Sequence, residues 1–249
     1  MSYCLGMQLN AGMVFISDTR TNAGVDNVAT FRKCFVFDAA ADRVVVVLTA
    51  GNLAITQAVI SLLEDRLGSS DPAKSMYAAC SMFEVARVVG NTLREVHHED
   101  GAHIKQHGAE FNASLIVGGQ IAGQRMRLFN VYAAGNFIEA NDDTPYFQIG
   151  ETKYGKPIIE RVLAMDTPLV QAVKCALVSF DSTMKSNLSV ALPLDLVVVP
   201  AGALKPSIQH RVDGSEAYFT TLRRMWGEGL NKLFLDLPDP DWMGPGGGR

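Results

Sequence analysis

If the initiator methionine is removed, Ser2 carries a hydroxyl and an α-amine on the same residue. That is a nucleophile and a proton acceptor with no partner needed from elsewhere in the chain. A serine hydroxyl is inert until a base takes its proton. An α-amine titrates near neutrality and could do so directly or through one water. Retention of Met1, or acetylation of Ser2, would leave no free amine. Many chains begin Met-Ser, and alone this residue reads as the second position of a strand. Three stretches downstream add weight: Ser17-Asp18-Thr19-Arg20 closing a hairpin, Phe31-Arg32-Lys33, and Thr49-Ala50-Gly51. Two other groupings are weaker. His97, His98, His103 and His107, with Glu99 and Asp100, are metal-ligand types. They follow a helix end and include Gly101 and Gly108, which reads as a solvated loop, not as convergent ligands. Cys4 could become a terminal nucleophile only after loss of three residues, and strand alternation buries it.

The elements that must position these residues follow from periodicity. Residues 3–9 and 13–18 are apolar segments around the turn-like Asn10-Ala11-Gly12, a β-hairpin ending at Asp18. A polar loop, 19–30, leads to a strand at 33–38, and a second strand covers 43–49. Leu53, Ile55, Val59, Leu62, Leu63 and Leu67 recur near helical spacing, predicting a helix over 52–67. Asp71-Pro72 predicts the opening of another, to Val96. Strands are predicted at 112–119 and 125–133, at 146–149, at 189–199 and at 209–213. Helices are predicted at 153–164, at 167–183 and at 215–235. The order is strands, two helices, strands, two helices, strands. Periodicity alone supports an α+β chain with antiparallel sheets. No Pro/Gly/Ser-rich linker divides it, so residues 1–236 read as one domain and the Pro/Gly-rich 237–249 as a disordered tail.

Composition removes several classes of function. A net charge of −4 and a pI near 5.7 argue against nucleic-acid binding, which needs a basic surface. No stretch approaches the roughly 20 apolar residues that span a bilayer; the densest, Val44-Val45-Val46-Val47-Leu48, is strand length. The N-terminus lacks the basic and apolar regions of a secretory signal. Cys4, Cys34, Cys80 and Cys175 lie far apart with no CxxC spacing, as expected of reduced thiols in a cytoplasmic protein.

In order and type, the front stretches resemble an N-terminal-nucleophile hydrolase of the proteasome β-subunit type. Within that group the chain is similar to the bacterial ancestral β-subunit (Anbu) branch. The resemblance runs from about residue 2 to 235 and rests on SDTRTNAGVDNVATFRKCFVF, NASLIVGGQIAG and FDSTMKSNLSVALPLDLVVV. It implies a four-layer αββα sandwich, two stacked antiparallel sheets covered by helix pairs. It implies that Asp18 pairs with Lys33 beside Ser2, lowering the cost of ionising the hydroxyl. Lys33 comes one position earlier than in the usual proteasome β pattern, read as a one-residue deletion in the loop 19–30. Gly51, by itself a plain turn glycine, becomes the oxyanion donor. Thr49 faces the pocket for the residue before the cut, and Arg20 and Asn22 line the cleft. Asp181 and a serine orient the terminal amine. Here the spacing from Asp181 to Ser186 is five where the family has three, so Ser186 fills that role or no serine does. Glu151 stands where the proteasome pattern has a serine.

The function implied is a self-compartmentalising peptidase acting on unfolded polypeptide or peptide, in stacked rings or an open helical ring of identical subunits. No metal or organic cofactor is expected, and no nucleic-acid or membrane partner. Two alternatives stay open: a catalytically weak or inactive assembly subunit, and a small-molecule amidase of the same mechanistic class. Against the former, the chain starts directly at its first strand, without the extra helix of α-type proteasome subunits. The sequence does not name an unfoldase partner.

Overall fold

The computed structural model describes residues 2–22, 28–108 and 110–243. In chain order the first elements are β1 (Tyr3–Leu9), β2 (Gly12–Asp18), β3 (Arg20–Asn22), β4 (Val28–Thr30), β5 (Cys34–Phe37) and β6 (Arg43–Gly51). Two helices follow, α1 (Leu53–Asp65) and α2 (Met82–Gln106). Next come β7 (Ala113–Ile121), β8 (Arg127–Val131), β9 (Phe137–Glu139) and β10 (Tyr146–Gly150). A second helix pair, α3 (Lys156–Val162) and α4 (Leu169–Ser186), precedes β11 (Leu194–Pro200) and β12 (Ile208–Val212). The last helix is α5 (Ala217–Leu235), followed by a short 3-10 turn at Asp241–Met243. The chain divides into two compact units, residues 1–214 and 215–249. The second holds α5 and that turn; the expected disordered tail lies, from residue 244 on, outside the described residues.

The first unit holds two five-stranded antiparallel sheets, β10-β1-β2-β11-β12 and β5-β6-β7-β8-β9, and the small pair β3-β4. Alternation along β6 explains how they stack. Val44, Val46, Leu48 and Ala50 meet Cys4, Met13 and Phe15 of the other sheet. Val45 and Val47 face away, toward Ile55, Val59 and Leu63 of α1 and Val85 and Val89 of α2. The valine run at 44–48 is thus buried on both faces, which is why it shows no polar alternation. On the first sheet α4 packs against β1 and β2. Tyr3 stacks on Phe180 of α4 at 4.3 Å between ring centroids.

Several expected boundaries move. The polar loop 19–30 contains the paired β3 and β4, and β9 was not expected; each has three residues, too short for a periodic pattern. The helix expected from Asp71 begins at Met82 instead. Ser81 caps it, accepting from the Glu84 amide at 3.2 Å, while the Glu84 carboxylate accepts from the Cys80 amide at 2.7 Å. That reciprocal pair outweighs the proline at 72. The same helix continues to Gln106, so the histidine-rich stretch is helical where a loop was expected. Among the described residues no group of three or more ligand side chains could hold a metal. No described helix is long and apolar enough to cross a membrane.

Candidate active site

Ser2 sits just ahead of β1, a strand paired on both sides. Its carbonyl accepts from the Glu151 amide at 2.7 Å, continuing the β1–β10 ladder past Tyr3 and Gly150. Ser2 is 9% exposed and lines a cavity of about 320 Å3 together with Arg20, Lys33, Thr49 and Gly51. Residues separated along the sequence therefore converge on one space, which lies at the ends of β1 and β6 from opposite sheets.

Asp18, the last residue of β2, is fully buried. Its Oδ1 accepts from the Tyr3 amide at 3.0 Å and from Lys33 Nζ at 2.9 Å. Burial pushes the Asp18 carboxyl up, and Lys33 with the Tyr3 and Arg20 amides pulls it back. Lys33 is 4% exposed and also donates to the Arg20 carbonyl. Its own carbonyl accepts from the Thr49 amide at 2.9 Å. The cation is thereby fixed by its side chain to the first sheet and by its backbone to the second. Burial also pushes up the Cys4 thiol, whose Sγ donates to the Thr49 carbonyl at 3.4 Å, and the Tyr3 phenol. Such groups stay protonated and do not compete as nucleophiles.

Gly51 ends β6 with φ +114, and a Cβ there would collide with the Asn112 carbonyl. Only glycine suits both the conformation and the close approach. Asn52 follows as the cap of α1, its Oδ1 accepting from the Ala54 amide at 3.0 Å and its amide donating to the Asn112 carbonyl at 2.7 Å. The positive end of α1 is therefore anchored directly beside the cavity.

Other expected residues fall differently. Arg20 lines the cavity while its Nη1 donates to the Leu188 carbonyl at 2.9 Å. Asn22 lies in β3, its side chain outside the described residues. Asp181 is fully buried on α4, with Lys185 Nζ 3.4 Å from its Oδ2. Ser186, the last residue of α4, is exposed, and its side chain has no hydrogen-bond partner among the described residues. Position i+5 turns away from the face that Asp181 shares with i+3 and i+4. Asn187, which sequence reasoning missed, reaches Glu151 beside Ser2 instead: its Nδ2 donates to Glu151 Oε2 at 2.8 Å. Tyr3 and Ser179 were missed as well; their hydroxyls lie 2.6 Å apart and tie the start of β1 to α4. No spacing rule links these residues, because only the packing of α4 on the sheet joins them.

No protein-family model matches the chain, and no curated protein matches it either. Solved structures do. With its two large antiparallel sheets and Ser2 lining a cavity beside the first strand, the chain is a proteasome-related α+β β-subunit. It belongs to the Anbu, or ancestral β-subunit, family. It is similar to Anbu from Yersinia bercovieri with 49% identity and a TM-score of 0.89, over 96% of this chain and 98% of that one. It is also similar to the Anbu complex of Pseudomonas aeruginosa, solved as a helical assembly, with 46% identity and a TM-score of 0.91, over 99% and 100% of the two chains. Anbu from Hyphomicrobium sp. strain MC1 matches with 44% identity and a TM-score of 0.88, over 96% and 99%.

Proposed function

We propose that the chain is a peptide-bond hydrolase whose nucleophile is Ser2, exposed by removal of Met1. The carrying observation is the convergence of Ser2, Lys33 and Gly51 on one cavity, with Asp18 buried behind the lysine. Ser2 Oγ attacks the carbonyl carbon while the α-amine takes its proton. Lys33, held by Asp18, lowers the cost of the developing alkoxide. The Gly51 N–H, at the positive end of α1, receives the oxyanion. The amine then returns the proton to the leaving nitrogen, and water releases the acyl group from Ser2. Thr49 and Arg20 line the space for the peptide, as does Thr21 of β3, the strand that also holds Asn22. Asp181 orients the terminal amine from α4 together with Glu151 and its partner Asn187, while Ser186, exposed and turned away, takes no part.

The helix pair α1/α2 on one sheet and α3/α4 beside the other support a four-layer αββα sandwich. Val170 and Leu188, 74% and 86% exposed, are apolar surface available to a second copy. With a relative solved as a helical assembly, they support a homo-oligomer that confines unfolded peptide in a chamber. Four free cysteines favour a cytoplasmic location. A second reading, a weak or inactive assembly subunit, draws on Glu151 standing where a hydroxyl residue is expected.

The test is intact mass followed by turnover of short fluorogenic peptides. The mature mass lacks Met1, and Ser2→Ala loses all but about 0.1% of turnover or less, as expected for loss of a nucleophile. Equal turnover by both proteins would reject Ser2 as the nucleophile.

A further inference from the structure

We propose that the Glu151 carboxylate holds the terminal ammonium of Ser2, acting as a positioning residue; this rests on the reading of Ser2 as nucleophile. Glu151 is locked opposite Ser2 by its own backbone. Its amide donates to the Ser2 carbonyl at 2.7 Å. The preceding Gly150 has φ +83, and a Cβ there would collide with the same carbonyl, so glycine lets the chain turn in this close to the terminus. The side chain is then fixed from a second direction. Asn187 Oδ1 accepts from the Ser189 amide at 2.8 Å, which aims Nδ2 at Glu151 Oε2, also 2.8 Å away.

What this carboxylate lacks is a countercharge. Glu151 is 7% exposed, and among the described residues its only side-chain partner is the neutral amide of Asn187. A carboxylate so far out of water is costly unless a cation joins it. The neighbouring cations are committed elsewhere. Lys33 is paired with Asp18 from β2. Lys185 lies against Asp181 on α4. Arg20 of β3 is tied to the Leu188 carbonyl. Removal of Met1 creates a new cation on the very residue whose carbonyl Glu151 already grips. The carboxylate satisfies that ammonium and turns it toward the Ser2 hydroxyl. It thus takes the place of a neutral hydroxyl, and it raises the basicity of the amine.

Competitive acetylation read by mass gives the titration midpoint of the α-amine whether or not the chosen peptide is turned over. In Glu151→Gln, which keeps the size and a partner for Asn187, the midpoint falls by about 1 pH unit. The acid limb of kcat/KM moves down with it. Glu151→Ser, which offers a hydroxyl in place of the charge, gives the same direction should the glutamine variant misfold. A midpoint and acid limb unmoved in both variants, while wild type still shows Ser2-dependent turnover, would overturn the role of Glu151 alone. Retention of Met1, or full turnover by Ser2→Ala, would overturn the nucleophile reading and this inference together.

Discussion

Lys33 serves two ends that mutation can separate. It neutralises a carboxylate that is wholly out of water, and it presents a cation to the cavity. Lys33→Ala leaves Asp18 buried without its partner, so the expected cost is about 3–5 kcal/mol in denaturant unfolding, together with loss of turnover. Pairing Lys33→Met with Asp18→Leu removes both charges; most of the stability returns while turnover stays absent. Recovery of activity in the double variant would show that the cation does not act on the nucleophile. At this scale the sequence was partly legible. Ser2 stands out as a small hydroxyl residue directly after Met1, and Asp18 and Lys33 become readable through the resemblance to proteasome β-subunits. Asn187 did not stand out, since only the seating of α4 brings it to residue 151.

Among elements, the junction of β6 and α1 carries the most consequence. Asn52 caps the helix and also binds the Asn112 carbonyl, the group that would clash with any side chain at 51. Asn52→Ala removes only the side-chain half of this, and the expected cost is about 1 kcal/mol in thermal or denaturant unfolding. Because Gly51 is also held through the β6–β7 register opposite Ala113, turnover falls less than with a change at Lys33. A collapse of activity equal to Lys33→Ala would mean that the cap itself sets the oxyanion position. Element boundaries were readable where a long apolar period ran, as in α1, expected at 52–67 and found at Leu53–Asp65. They were misread where one local signal competed with another, as with Pro72 against the Ser81–Glu84 cap. The short β9 had no signal to read.

Across the whole molecule, pH reports how surface and core differ. Asp42, Glu95 and Glu139 are held below their ordinary carboxyl values by Arg43, Arg66 and Arg127 respectively. A carboxyl depressed on folding binds protons more readily in the unfolded chain. Its contribution is complete above the ordinary values of 3.8 for Asp42 and 4.5 for the two glutamates, and is lost as pH falls through and below them. Asp18 works in the opposite sense: burial raises its carboxyl, so protonation on the way down favours the folded form. The unfolding midpoint is therefore expected to hold from neutral pH toward 4.5 and to fall below it, with less fall at high salt, where exposed pairs are already screened. A midpoint that rises steadily on acidification would show that Asp18 outweighs the surface pairs. The overall architecture was the most legible layer of all. Alternating and helical periods average over many residues, whereas a site depends on a few.

The first strand has consequences for the order of events during synthesis. β1 can close on β2 as soon as both have left the ribosome, because they are neighbours in the chain. Its other edge waits for the pairing of Tyr3 with Gly150, and β2 waits for β11. Until that distant half has emerged, β1 lacks its second partner and the Ser2 carbonyl lacks the Glu151 amide. The lining of the cavity, Ser2 to Thr56, is therefore synthesised well before the strand that fixes Ser2 against it.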